Sequence, residues 1–122
     1  MDSSALDLDI RRIVTDSDLD GVVTAAILRR WWPDAEVEFG HPGEMRAGLL
    51  DEKIDRWTAV CDLPRHPNCG LSIDHHQSNR PSDAEGSGSV IIWRDTPSAA
   101  RIAFELVSQR AELSDMVGLL EW

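Results

Sequence analysis

Two acidic clusters, Thr15-Asp16-Ser17-Asp18-Leu19-Asp20-Gly21 and Ser72-Ile73-Asp74-His75-His76, constrain this chain more than any other feature. Each directly follows a short apolar run, Ile13-Val14 in the first case and Leu71-Ser72-Ile73 in the second. A short apolar run that stops at polar residues reads as a strand buried within a sheet. If both strands belong to one parallel sheet, Asp16, Asp18, Asp20, Asp74, His75 and His76 converge at its C-terminal edge. Open α/β sheets place their ligand sites there. Carboxylates at that density repel one another unless cations hold them. The pattern therefore predicts a metal site with more than one ion.

The rest of the chain alternates strand and helix. Residues 11–15 read as a first strand and 21–32 as a helix, with Val22, Ala25, Ala26 and Ile27 toward a sheet and Pro33-Asp34 as its stop. Residues 36–39 read as a second strand, 40–43 as a turn and 44–52 as a short helix. Residues 57–61 form a third apolar run that ends in Asp62-Leu63-Pro64, and 71–73 a fourth strand. The polar stretch 77–88 reads as a loop and 89–93 as a fifth strand. A helix then opens with Thr96 as N-cap and Pro97 at N1, and carries Ala100, Ala103, Phe104 and Val107 on one face. A last amphipathic segment covers 113–122. This order predicts an α/β fold, a three-layer α/β/α sandwich with a mainly parallel sheet of about five strands.

Length and composition bound the function. A chain of 122 residues is one domain, and 42% apolar residues suffice for a core. A net charge of −10 argues against gripping nucleic acid by broad basic patches. No run approaches the roughly 18 apolar residues of a membrane span. Met1-Asp2-Ser3-Ser4 is no signal peptide, so a cytoplasmic location is the expectation. Cys61 and Cys69 fit neither a disulfide scaffold nor a zinc spacing, and read as reduced thiols with Cys61 buried at a strand end. The chain ends on Leu119-Leu120-Glu121-Trp122 with no cap or polar tail, which suggests a polypeptide that continues.

Asp16, Asp18 and Asp20 are hard oxygen donors suited to magnesium, manganese or calcium. Gly21 opens a helix whose N-terminal amides favour phosphate. Asp62 ends a third strand at the same edge. Of the adjacent His75 and His76, one imidazole can bind a metal while its neighbour meets a substrate oxyanion. His41 and His66 read as ordinary loop histidines. Two other readings share these letters. Asp16-x-Asp18-x-Asp20-Gly21 begins like a calcium-binding EF-hand loop, but the required twelfth-position Glu is Ile27 and a strand precedes it. Asp18-Leu19-Asp20-Gly21 is similar to the nucleophile motif of haloacid-dehalogenase-type phosphatases, with Asp18 as nucleophile. In those the Asp follows the strand at once, and a Thr stands where this chain has Val22.

Asp74-His75-His76 resembles the signature of the DHH phosphoesterase family. Residues Thr15 to Val22 followed by Ala25-Ala26-Ile27 resemble its first motif, and Val60-Cys61-Asp62 its second. The segment from Pro97 to Ala103 is similar to a helix that follows the DHH motif in many members. The resemblance covers residues 11–110. It implies a two-metal, usually manganese, phosphoesterase or pyrophosphatase. Asp18 would bind the first ion, Asp20 and His75 the second, and Asp62 both; His76 would face the phosphate and Asp74 would orient the site. Two ions about 3.5–4 Å apart suit hydrolysis of a phosphodiester. The substrate implied is a short oligonucleotide or a nucleotide, and magnesium is the other candidate ion. The family commonly has a His where Asp16 stands, and a fourth-motif Asp well after the DHH motif; Asp115 comes too early for it. The family's second, substrate-gripping domain has no counterpart here. The chain thus reads as one DHH-type domain, 1–122, lacking its C-terminal part. The alternative function is a catalytically weak fragment that binds metal and nucleotide without turnover.

Overall fold

All five expected strands form one parallel sheet: β1 (Arg12–Asp16), β2 (Glu36–Gly40), β3 (Thr58–Cys61), β4 (Leu71–Asp74) and β5 (Val90–Trp93). The computed structural model describes residues 3–82 and 88–121, so part of the expected loop at 77–88 lies outside the described residues. The strand order is β2-β1-β3-β4-β5. The chain leaves β1 toward β2 on one side and returns to β3 on the other. The crevice beyond the ends of β1 and β3 is therefore the switch point at which such sheets bind ligands. The register levels the strand ends there, with Asp16 opposite Gly40, Thr15 opposite Cys61, Cys61 opposite Ile73 and Asp74 opposite Trp93.

Alternation along the strands builds a core on each face. Ile13, Ala59, Cys61, Leu71 and Ile73 pack with helices α1 (Leu19–Leu28) and α3 (Ala99–Val107). Val14 and Val60 face the other way, against Met45 of helix α2 (Pro42–Arg46) and against Leu50, Ile54, Leu63 and Cys69. Every residue of β3 and β4 is buried, as expected of central strands covered on both sides. Full burial of each large aliphatic side chain contributes about 1.5–3 kcal/mol.

The helix ends differ from those the sequence suggests. Helix α1 starts at Leu19 because the Asp18 carboxylate caps it, accepting from Gly21 N at 2.8 Å. It stops at Leu28, and the indoles of Trp31 and Trp32 instead donate to Leu6 O and Leu8 O, both at 2.8 Å. Its buried side holds Val23, Thr24, Ala25, Ile27 and Leu28. Val22 and Ala26, expected toward the sheet, face solvent. The cap of α3 is Ser98 rather than Thr96: the Ser98 hydroxyl accepts from Arg101 N at 3.1 Å, and the Thr96 hydroxyl donates to Ser98 O at 2.9 Å. The expected helix over 44–52 is divided. Pro42 and Gly43 belong to α2, Gly48 at φ 78° ends the regular coil, and a 3-10 turn follows at Asp51–Lys53. The last amphipathic segment is a 3-10 helix, Ser114–Leu120.

Gly21 is required by close approach. A Cβ there would run into the carbonyl of Asp16 and touch the Thr15 hydroxyl. The Thr15 hydroxyl itself donates to Gly21 O at 3.0 Å, which locks α1 onto the end of β1. Gly21→Ala is therefore expected to destabilise the fold by about 2–4 kcal/mol, because backbone rather than a flexible side chain must move. Urea unfolding of the two proteins measures this.

Candidate metal centre

The acidic side chains meet at the switch point. Asp16 ends β1, Asp18 caps α1, Asp62 follows β3, and Asp74 ends β4 with His75 and His76 next. Oxygen atoms of Asp16, Asp18 and Asp62 lie within 4.8 Å of one another, and so do donor atoms of Asp62, Asp74, His75 and His76. Either group could hold a metal ion, and Asp62 belongs to both.

Asp62 is the unusual residue. Its backbone is left-handed, at φ 58°, a conformation that Asp tolerates better than most residues but that still costs on the order of 1 kcal/mol. It is 1% exposed, and both carboxylate oxygens are buried without a hydrogen bond. The nearest imidazole nitrogens, His75 Nε2 and His76 Nδ1, stand 3.3 and 3.7 Å from Oδ1. Burial first, then the charge of Asp20 and the proximity of Asp18 and Asp74, push its carboxyl from 3.8 up to about 9. A buried anion without donors is costly, and a divalent cation is the partner that a carboxylate among carboxylates lacks. The donor set therefore fits a hard divalent metal.

His75 is oriented from behind. Its Nδ1 lies 3.1 Å from Thr96 O, and a carbonyl only accepts, so Nδ1 carries the proton. Nε2 then faces Asp20 Oδ2 at 3.2 Å and Asp62 at 3.3 Å. This arrangement, with one ring nitrogen held by a carbonyl and the other turned to oxygen donors, is typical of metal-binding imidazole.

Asp74 is saturated with donors. Oδ1 accepts from His75 N at 2.8 Å, His76 N at 3.3 Å and His76 Nδ1 at 2.7 Å, while Oδ2 accepts from Asn79 Nδ2 at 2.6 Å. It fixes the turn and leaves His76, 43% exposed at its side chain, with Nε2 unclaimed by Asp74. The Trp93 indole supports the same turn by donating to His76 O at 2.9 Å.

Asp20 has a second task. Its oxygens accept from Ala99 N and Ala100 N, each at 2.9 Å, so it caps α3 from across the fold. Among the other expected residues, Asp115 pairs on the surface with Arg30 at 2.8 Å. His66 sits in a loop but is buried, where Nδ1 accepts from Asn68 N and Nε2 donates to Asp51 at 2.8 Å. His41 caps α2 and brings Nδ1 to 3.9 Å from Asp16. Cys61 is a free thiol raised well above 9.0 by burial and by Asp62, so it stays protonated. The contributions of Asn79, Trp93, the Thr96 carbonyl and the Ala99 and Ala100 amides are not foreshadowed in the sequence.

No protein-family model matches the chain, and no curated protein does. A solved structure resembles it: the pGpG-specific phosphodiesterase PggH from Vibrio cholerae. The TM-score is 0.70 with 29% identity, over 90% of this chain and 34% of that one. The chain shares a phosphodiesterase fold. It spans about a third of that protein's length. No helix among the described residues is long and apolar enough to cross a membrane.

Proposed function

We propose that this chain is a DHH-type phosphoesterase domain that hydrolyses a phosphodiester in a short oligonucleotide or nucleotide with two divalent cations, manganese or magnesium. The observation that carries the reading is Asp62, a buried carboxylate without donors shared by two ligand groups at the switch point of a phosphodiesterase fold. Asp16 and Asp18 would hold one ion, Asp20 and His75 the other, and Asp62 both. When bound, the cations supply Lewis-acid stabilisation to the charge of a phosphoryl group. Asp74 holds the Nδ1 proton of His76, so that Nε2 is presented to a phosphoryl or leaving oxygen. Carboxylates at the rim discourage an anionic substrate until cations neutralise them. A cytoplasmic setting, with both cysteines reduced, belongs to the same proposal.

Coverage of 34% of the neighbour favours one further reading, that the isolated chain binds metal and nucleotide but turns over slowly. The same titration and assay test both. Manganese added to metal-free protein is expected to release or absorb heat at one or more sites below about 1 mM and to raise the melting temperature. No heat and no shift would sink the metal site. With pGpG as probe, hydrolysis is expected to require manganese, to vanish in His76→Ala, and to run below about 1 per second. A faster rate would remove the slow-fragment reading.

A further inference from the structure

A cleft of about 220 Å³ opens beside the acidic centre on the face of the sheet that carries Val60. Its floor is Ser72, the register partner of Val60, together with Ile91, which pairs with Ser72 on β5. Its walls carry Arg65, Ser78, Asn79, Arg80 and Trp93, and Asp74 forms the border with the metal centre. Ser72 is 3% exposed and lines the cleft. The Arg80 guanidinium lies 5.2 Å over the Trp93 ring, and no carboxylate pairs with it among the described residues. The Arg80 guanidinium on this cleft runs against the chain's net charge of −10.

We propose that this cleft binds the phosphate group of a phosphate monoester or free phosphate. The Arg80 guanidinium fork matches a tetrahedral oxyanion, and the Ser72 and Ser78 hydroxyls add donors on the floor and wall. A nucleobase fits less well, because Arg80 already covers a face of Trp93 and the indole N–H is committed to His76 O. The inference deepens the proposed function and rests on it only for the cleft's role. A substrate or product held at the metal centre would anchor a second anionic group beyond Asp74. Binding itself needs no metal.

The test is calorimetric titration of the metal-free chain with inorganic phosphate, GMP and guanosine. Phosphate and GMP are expected to bind with dissociation constants below about 1 mM, and guanosine not measurably. GMP tighter than phosphate marks a nucleotide as the natural source, and equal affinities mark free phosphate. Arg80→Ala, in an exposed loop, is expected to weaken both about tenfold while leaving manganese affinity unchanged. Ser72→Ala is expected to weaken them by a smaller factor without lowering the melting temperature. Guanosine binding as well as GMP, or Arg80→Ala binding phosphate like the parent, overturns the proposal. Phosphate binding by a protein that ignores manganese would sink the two-metal function and leave the cleft standing, and the converse result would do the opposite.

Discussion

Asp62→Asn is expected to stabilise the metal-free protein at neutral pH and to abolish its stabilisation by manganese. Asparagine keeps the shape and accepts the left-handed backbone at φ 58°, so the change removes charge alone. The sign follows from the raised carboxyl, which lies at about 9 in the fold against an ordinary 3.8. Between those values the folded protein holds a proton that the unfolded chain has lost. Stability of the metal-free protein therefore falls as pH rises from about 4 toward 9. In Asp62→Asn that decline disappears, and near pH 7.5 the variant gains on the order of 3 kcal/mol over the parent. Manganese reverses the order, because a cation takes the proton's place only where Asp62 is present. Melting temperatures of both proteins across pH 5 to 9, with manganese and with chelator, measure all of this. A parent whose metal-free stability is flat across that range, or a variant that still responds to manganese, would refute the role of Asp62.

The strands and the edge at which they end were legible because central parallel strands are continuous apolar runs, and their polar successors must fall at one edge once the sheet is parallel. Asp16, Asp18, Asp62, Asp74, His75 and His76 lie together for that reason. Helix limits were not legible, because tertiary partners set them. Trp31 and Trp32 leave α1 to reach the carbonyls of Leu6 and Leu8, and α3 begins at Ala99 where a distant carboxylate meets its amides. The supporting shell was hidden for a related reason. The Thr96 carbonyl and the amides of Ala99 and Ala100 act through backbone atoms, which carry no residue signature. Asn79 and Trp93 act through ordinary side chains whose partners depend on the register of β5 beside β4.

That shell gives Asp20→Ala a large expected cost to the metal-free fold. Asp20 is mostly buried, and its two oxygens accept the first amides of α3, whose Ala99 and Ala100 are themselves fully buried. A carboxylate at a helix N-terminus makes charge-assisted bonds and meets the positive end of the helix dipole. Truncation leaves two buried donors without partners, at about 1–3 kcal/mol each, for a total of roughly 3 kcal/mol and a fall of about 10 °C in melting temperature. Asp20→Asn keeps one acceptor oxygen and is expected to lose about half as much. The same carboxylate faces His75 Nε2 at 3.2 Å, and each oxygen has a lone pair left for a cation, so capping and metal binding share one group. If Asp20 were a ligand only, its removal would relieve repulsion among the carboxylates and leave the metal-free protein as stable as before or more so. Denaturation of Asp20→Ala and Asp20→Asn in chelator decides between these outcomes. A drop that manganese fails to restore is the expected result, since both the helix cap and a donor to the ion are gone.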